Sequence, residues 1–268
     1  MRKPTLRQET EELLHREGLF ARKKFSQNFL VDEEALAAIV AAGELVKEDV
    51  VVEIGAGLGV LTKELAARAG KVFACEIDAK LAVLLRRRFG KEENLEVIEG
   101  DALRFELPAG AKVVANLPYH LTGRFLRHFF LGKNPARRVV LLLQKEVTER
   151  ICDEKKLSLP ALLTRNFGEP RVLRKIPAAS FLPAPRVDSA VLLVEPKEAP
   201  AISAEEFFDF AARVFQQKRK NLANALASLP GGKEAARALL VKAGIDGRRR
   251  AETLSLEEWR ELWRAKES

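Results

Sequence analysis

Residues 50–78, VVVEIGAGLGVLTKELAARAGKVFACEID, decide the fold of this chain. Val50–Ile54 is short, apolar and rich in β-branched side chains, which is typical of a strand buried on both faces of a parallel sheet. Three glycines then mark a tight turn that opens a helix, and residues 71–77 form a second apolar run. The stretch predicts a βαβ unit whose ligand binds at the carboxyl ends of the strands.

The spacing of the three glycines distinguishes two classes of cofactor. The dinucleotide fingerprint is G-x-G-x-x-G, but the third glycine here comes one position early, at Gly59, after Gly55 and Gly57. Glu76 ends the second strand, where a carboxylate suits ribose hydroxyl groups. The pattern E-x-G-x-G-x-G, which begins at Glu53, together with this strand-end acid resembles class I S-adenosylmethionine methyltransferases. A cofactor-free α/β domain with three turn glycines is the alternative.

The composition indicates a polyanionic partner. The 268 residues carry a formal net charge of +8, which favours nucleic acid, although a solvated basic surface gives the same charge. Cys75 and Cys152 form no C-x-x-C pair, so the sequence supports neither a disulfide framework nor a zinc site. It shows no apolar run long enough for a membrane span and no signal peptide. We therefore expect a cytoplasmic monomer that binds neither a metal ion nor a membrane.

Two further strands bring polar residues to the same edge of the predicted sheet. The strand at residues 95–98 leads into E-G-D-A (99–102), and the strand at residues 112–115 leads into N-L-P-Y (116–119). The carboxyl ends of parallel strands share one edge of a sheet. Asp101 is therefore expected to accept a hydrogen bond from an adenine amino group.

The tetrapeptide Asn116-Leu117-Pro118-Tyr119 suits methyl transfer to an adenine amine, whose lone pair is delocalised into the ring. The Asn116 side-chain carbonyl and the Leu117 backbone carbonyl can each accept one N–H of that amine, and Pro118 restricts the backbone that carries them. Such preorganised acceptors act by orientation and electrostatics. Tyr119 offers a face on which the base can stack. An ordinary strand-to-loop turn is the alternative.

Other residues are candidates for contact with the RNA. Phe181 precedes a loop with two prolines and is a candidate second stacking face for a flipped-out base, with plain core packing as the alternative. Three cationic clusters predict contacts with phosphate groups, and a solvated surface is the alternative for each. The clusters are Arg22, Lys23 and Lys24; Lys218, Arg219 and Lys220; and Arg248, Arg249 and Arg250.

From about residue 23 to the C-terminus, the chain resembles the KsgA-type small-subunit ribosomal RNA adenine dimethyltransferases. The motifs that carry the resemblance are FSQNFLVD (25–32), EIGAGLGVLT (53–62), EID (76–78), EGDA, NLPY, QKEV (144–147) and the loop at 181–189. The resemblance implies S-adenosylmethionine as the methyl donor. It also implies N6,N6-dimethylation of two adjacent adenosines near the 3′ end of the rRNA of the small ribosomal subunit, during ribosome biogenesis.

The resemblance also implies the residues of the cofactor site. By position, that family's cofactor-binding residues correspond to Asn28, Leu30, Gly55, Glu76, Asp101 and Asn116. To these we add their neighbours within the same motifs, which are Gln27, Glu53, Gly57, Gly59, Ile77 and Ala102.

The chain departs from the family pattern at three places. His120, Thr122 and Gly123 replace an Asn and a later Ile-Ser, Lys155-Lys156-Leu157-Ser158 replaces a Tyr-Gly-Arg-Leu-Ser-like segment, and Ala56 replaces a frequent proline. The first two departures concern the substrate side, so they bear on RNA positioning more than on cofactor binding.

The organisation of the chain follows from a change of pattern near residue 198. We predict a Rossmann-like methyltransferase domain with an N-terminal extension at residues 1–197 and a small all-α domain at 198–268. Residues 5–17 form a polar helical stretch that we expect on the surface or mobile. Two other functions stay open: an Erm-like enzyme that methylates large-subunit rRNA, and a non-catalytic rRNA- or DNA-binding factor with the same fold.

Overall fold

The computed structural model describes residues 4–22, 27–117, 121–197, 205–217 and 219–267. Contacts divide the chain into two compact units: Met1–Thr148 with Arg171–Pro196, and Glu149–Pro170 with Lys197–Ser268. Residues 149–170 thus belong to the unit that contains the C-terminus. The division at residue 197 stays a prediction about domain boundaries.

The strands are β1 Phe29–Leu30, β2 Val50–Ile54, β3 Lys71–Glu76, β4 Leu95–Glu99, β5 Lys112–Asn116, β6 Arg138–Gln144, β7 Gly168–Ile176, β8 Phe181–Leu182 and β9 Ser189–Pro196. The helices are α1 Leu6–Arg16, α2 Glu33–Ala42, α3 Val60–Arg68, α4 Ala79–Phe89, α5 Thr122–Leu131, α6 Lys145–Cys152, α7 Leu159–Phe167, α8 Glu205–Gln216, α9 Leu222–Leu226, α10 Gly232–Ala243 and α11 Leu256–Glu267. The predicted βαβ unit is therefore present as β2, α3 and β3.

A seven-stranded sheet has the order β4-β3-β2-β5-β6-β9-β7, and β1 pairs with β8 in a small separate sheet. β3 and β5 flank β2 in parallel, β4 is parallel to β3, and β6 is parallel to β5, whereas β9 is antiparallel to β6. The five parallel strands end at one side of the sheet, which we call the carboxyl edge. The side where they begin is the amino edge.

The parallel strands have the buried apolar side chains that this position requires. Val51, Val114 and Val140 are fully buried in a core cluster with residues of α2 and α3. Both faces of a parallel sheet are normally covered, so its strands are continuously apolar rather than alternating. This explains why these short runs could be recognised in the sequence.

Capping residues fix where several helices begin. Asp32 is the N-cap of α2, where its carboxylate accepts a hydrogen bond from the Ala35 N–H at 3.0 Å. At the start of α11, Ser255 and Glu258 form a capping box: the Ser255 N–H donates to the Glu258 carboxylate at 2.7 Å, and the Glu258 N–H donates to the Ser255 hydroxyl oxygen at 3.1 Å. These bonds satisfy backbone donors that the first turn of a helix leaves free.

The unit that contains the C-terminus (residues 149–170 and 197–268), which we call the helical unit, has an aromatic core of its own. The Phe207 and Phe208 rings meet edge to face with their centroids 4.8 Å apart, and Trp259 stacks on Phe215 at 5.1 Å. Trp259 is fully buried. Trp263 meets the Phe207 ring edge to face at 5.7 Å, so both tryptophans of the chain belong to this core.

Among the described helices, we find none with the length and apolar character that a membrane crossing demands.

Candidate active site

A cavity opens at the carboxyl edge, where β2, β3 and β5 end. Its walls come from the segment before and within β1, the glycine turn after β2, and the ends of β3 and β5. The predicted residues that line it are Gln27, Asn28, Leu30, Glu53, Gly55, Gly57, Glu76, Ile77, Asn116 and Leu117. These residues, separated by up to 90 positions in the sequence, therefore meet at one place.

Gly55 and Gly59, the first and the last of the three glycines in the turn, have different roles. Gly55 has a φ of +77°, and a Cβ atom there would lie 3.1 Å from the backbone oxygen of Asn116. A side chain at Gly55 would thus force the turn and the end of β5 apart by a few tenths of an ångström and would strain the positive φ. Gly59, with a φ of +82°, does not line the cavity, and its Cβ would lie 2.4 Å from the Phe89 ring. Gly59 therefore serves the packing of α3 against α4.

Glu76 is held rigidly at the end of β3. One carboxylate oxygen accepts the Gly57 N–H at 2.8 Å and the other accepts the Asp78 N–H at 2.9 Å. Burial raises the pKa of Glu76, although these two hydrogen bonds oppose the shift. Because each carboxylate oxygen has two lone pairs, one on each oxygen stays available for a hydroxyl donor.

Glu53, at the end of β2, is a second buried carboxyl group in the cavity wall. Its side chain accepts the Thr62 hydroxyl at 2.6 Å, and the residue is only 1% exposed. Burial raises the pKa of Glu53 to about 8; the nearby charge of Glu76 adds to the rise, and the bond from Thr62 opposes it. At neutral pH Glu53 is therefore mostly protonated. The carboxyl group of Glu76 lies in the same wall of the cavity.

Asn116 is positioned at the end of β5 by its own amide group. Its Nδ2 donates to the backbone oxygen of Asn28 at 3.3 Å. This bond turns the side-chain carbonyl away from Asn28, so the carbonyl can accept a hydrogen bond from a ligand. The next residue is fixed as well, because the Leu117 N–H donates to the Leu142 carbonyl at 3.3 Å.

Other predicted site residues do not line the cavity. Asp101 is exposed, and its carboxylate caps the short turn after β4 by accepting the Leu103 N–H at 3.0 Å. Ala102 is buried beside it. Pro118 and Tyr119, together with the departure at His120, lie outside the described residues.

Phe181 lies in the core rather than in the open. It forms part of β8, opposite Leu30 of β1, and it is 1% exposed within the same cluster as Leu30, Ile39 and Leu142. A ring enclosed by aliphatic side chains has no free face for a nucleobase. The structure therefore corrects the expectation of an open stacking face and favours the core-packing alternative.

Two residues that shape the cavity were not among those predicted from the sequence. Phe29 lines it between the predicted Asn28 and Leu30, so its place in the FSQNFLVD motif was the signal. Asp78 accepts a hydrogen bond from the Gln27 amide at 3.3 Å and lies 3.4 Å from the Arg22 guanidinium. Asp78 thus ties the segment before β1 to the end of β3.

The predicted cationic clusters differ in how their charges are used. Arg22 pairs with Asp78, Arg248 pairs with Asp246 at 3.1 Å, and Arg249 pairs with Glu258. Arg219, Lys220 and Arg250 are exposed, and no ion pair to another described residue satisfies them. Lys23, Lys24 and Lys218 lie outside the described residues. Phosphate binding by these clusters stays a prediction.

Comparisons with known proteins give the family. The profile of ribosomal RNA adenine dimethylases matches residues 18–267. The chain belongs to this family. The proteins called ribosomal RNA small subunit methyltransferase A are similar to it throughout. That of Dehalococcoides mccartyi is 39% identical over 97% of this chain and 93% of its own length, and that of Moorella thermoacetica is 39% identical over 94% of each.

Solved structures agree with the fold. A crystal structure of the 23S rRNA methyltransferase ErmE is 27% identical and covers 90% of this chain and 100% of its own, with a TM-score of 0.69. The structure of a dimethyladenosine transferase from Plasmodium falciparum has a TM-score of 0.76 at 24% identity, over 87% of this chain and 95% of its own. The predicted class I methyltransferase fold is confirmed.

Family membership confirms the main functional predictions. The chain is an rRNA adenine dimethyltransferase that uses S-adenosylmethionine, and the relatives favour small-subunit rRNA over large-subunit rRNA. The non-catalytic alternative is not supported.

The cavity residues fit this donor. Glu76 offers acceptors for ribose hydroxyls, the close approach at Gly55 leaves backbone beside the ligand, and Ile77, which is 54% exposed, offers an apolar face for a purine. Nothing in the described part of the chain gathers three or more His, Cys, Asp or Glu side chains into a metal-binding group.

Proposed function

We propose that this chain dimethylates two adjacent adenosines near the 3′ end of small-subunit rRNA, acting as a monomer on an immature small subunit in the cytoplasm. The names of relatives that match almost the whole chain support the class of RNA. The observation that carries the proposal is the meeting of Asn116 and Glu76 in one cavity at the carboxyl edge. A donor site and an acceptor for the reacting amine then lie side by side.

The donor would lie against the wall formed by the glycine turn and the end of β3. Glu76 would accept the ribose hydroxyls, and Ile77 would contact the adenine. Glu53 would line the wall as a mostly protonated acid. Asp101 stays a candidate for the adenine amino group, which would require its carboxylate to leave the cap of the turn after β4.

The acceptor adenine would enter beside Asn116. S-adenosylmethionine supplies an electrophilic methyl group, and the protein must orient the amine lone pair toward it. The Asn116 side-chain carbonyl and the Leu117 backbone carbonyl would each accept one amine N–H, which supports nucleophilic attack without prior removal of a proton. We retain Tyr119 as the stacking face for the base, with Pro118 restricting the backbone before it.

The exposed cations of the helical unit would contribute to RNA affinity. Replacement of Lys218, Arg219 and Lys220 together by Ala should flatten the salt dependence of rRNA binding by roughly one log unit per lost phosphate contact. Affinity for the donor should not change. An unaltered salt dependence would identify the cluster as a solvated surface.

Methyl transfer to isolated ribosomal particles tests the proposal. The protein is incubated with tritiated donor and either immature small subunits or immature large subunits, and label in each rRNA is counted. We expect label in the small-subunit rRNA only, and none with Asn116→Ala in the same time. Label confined to the large subunit would contradict the proposed substrate.

A further inference from the structure

Helix α1 ends before the first residue matched by the family profile, yet it reaches the wall of the donor cavity. Leu13 is 7% exposed and packs in one cluster with Phe29, Leu58, Leu81 and Leu84. Three of these partners, Phe29, Leu58 and Leu81, also line the cavity. Leu13 therefore supports from behind the side chains that face the cavity. Helix α1 lies on the surface, as expected, and packs with its buried residues Thr10 and Leu13 toward the fold.

Polar contacts hold both ends of α1. Near its beginning, the Arg7 guanidinium donates to the backbone oxygen of Ala179 at 2.5 Å. At its other end the C-cap residue Glu17 pairs with Arg87 of α4, and the hydrogen bond from Arg87 lowers the pKa of Glu17. The helix is thus attached to the segment before β8 and to α4.

The same turn of α4 also holds the glycine turn. Arg88, next to Arg87, donates through its guanidinium to the backbone oxygen of Leu58. Arg86 pairs with Glu99 at the end of β4 at 2.8 Å. Three consecutive arginines at residues 86–88 therefore make contacts within the fold.

We propose that α1 is a brace for the donor site, and that Leu13 and Arg88 are positioning residues that set its affinity for the adenosyl group. The inference rests on the proposed placement of S-adenosylmethionine in this cavity. Phe29 and Leu58 form the apolar wall, and a wall that is fixed in advance loses little freedom when the ligand binds. Removing the support behind it weakens binding although no contact with the ligand is lost.

Calorimetric titration with S-adenosylhomocysteine tests the brace in the full-length protein. Leu13→Ala is compared with Leu107→Ala, which truncates another buried leucine of the same unit, 4% exposed and outside the cavity lining. We expect Leu13→Ala to weaken binding about tenfold, with a matching rise in the donor KM and little change in kcat at saturating donor. Leu107→Ala should lower Tm similarly and leave the affinity within about twofold of the wild type.

Conservative variants separate positioning from stability. Leu13→Met keeps the volume of the side chain and should restore wild-type affinity, and Arg88→Lys, which keeps the charge but loses the planar fork, should weaken binding at unchanged Tm. If Leu13→Ala does not fold, Leu13→Val should show the same effect at smaller size. Equal affinities for the Leu13 and Leu107 variants at equal Tm loss would overturn the brace. A wild type that does not bind S-adenosylhomocysteine would instead overturn the donor site itself.

Discussion

Buried carboxyl groups have pKa values shifted in opposite directions at the two edges of the central sheet. At the carboxyl edge, Glu53 and Glu76 have raised pKa values because they are buried, and within the described part of the chain neither forms an ion pair. At the amino edge, Asp49 lies 2.8 Å from the Lys112 ammonium and 2.6 Å from the Arg137 guanidinium. Burial alone would raise the pKa of Asp49, but the hydrogen bonds and charges of these partners lower it.

The amino edge is closed to ligands by its own hydrogen bonds. The Lys112 ammonium is buried and donates to the Gly43 oxygen at 3.1 Å and to the Glu44 oxygen at 2.5 Å, besides its pairing with Asp49. All three donors of the ammonium group are thus used within the protein. The cluster stabilises the fold and has no capacity left for a ligand.

This contrast shows how a functional site can be recognised without its ligand. Both edges bury carboxyl groups, so burial alone does not identify the site. What differs is that the groups at the carboxyl edge face a cavity and keep hydrogen-bonding capacity, which is typical of a site whose partner is the ligand.

Lys112→Met should destabilise the protein without affecting the chemistry. It removes one partner of a buried ion pair, which costs about 3–5 kcal/mol of unfolding free energy. Affinity for S-adenosylhomocysteine should stay unchanged at a temperature where the variant is folded. Urea unfolding measures the stability, and calorimetry measures the affinity. Loss of affinity with little loss of stability would contradict the claim that the amino edge serves the fold and the carboxyl edge serves the ligand.

Asn116→Ala should slow the reaction without destabilising the protein. It removes an acceptor for the reacting amine, so methyl transfer in a single turnover should slow about a hundredfold, as for the loss of one preorganised polar group. Its Tm should remain close to that of the wild type. A rate within threefold of the wild type at saturating donor would show that Asn116 does not act on the amine.

Glu76→Ala should weaken donor binding by roughly 1.5–3 kcal/mol, because a charged acceptor of the ribose hydroxyls is lost. Glu99 provides a matched control, since it lies opposite Glu76 in the register of β3 and β4 but does not line the cavity. Calorimetry with both alanine variants should show the loss only for Glu76. Equal affinities would mean that the ribose lies elsewhere.

The pH dependence of stability should differ between the edges. Between pH 4.5 and about 8 the folded Glu53 keeps its proton while the unfolded one loses it, so its contribution is present below pH 4.5 and is lost as pH rises to about 8. The slope is at most about 1.4 kcal/mol per pH unit. Asp49 has the opposite effect on the pH dependence of stability. Because its pKa is lowered in the folded state, its contribution is present at neutral pH and is lost only as the pH falls into the acidic range.

Urea midpoints at pH 6, 7 and 8 test this prediction. Glu53→Gln should reduce the decline in stability over this interval, because Gln stays neutral at every pH. A wild type whose stability does not fall between pH 6 and 8 would show that Glu53 is ionised in the folded state.

Local sequence patterns predicted the elements of the sheet well. β2 has the predicted bounds, and β3, β4 and β5 differ from the predicted ranges 71–77, 95–98 and 112–115 by one residue at the C-terminal end. The polar residues at strand ends were placed correctly at one edge because parallel strands leave no other possibility. Asn116 and Glu76 could therefore be identified before the structure.

The partners of side chains were not predictable in the same way. Asp49 and Arg137 are 88 residues apart, and nothing in either local pattern indicates that they meet. The destination of Arg87 depends on how α1 packs, and the burial of Phe181 depends on its pairing with β1. Long side chains select partners across the folded surface, so composition alone overestimates the charge that is free for RNA.

The most direct test of this account is mass spectrometry of the rRNA after reaction with unlabelled donor. Immature small subunits that lack the modification are treated with the wild type or with Asn116→Ala, and the nucleosides are mapped. The account predicts N6,N6-dimethyladenosine at two adjacent positions near the 3′ end of the small-subunit rRNA with the wild type, and almost none with the variant. Dimethylation at other positions, or equal dimethylation by the variant, would contradict it.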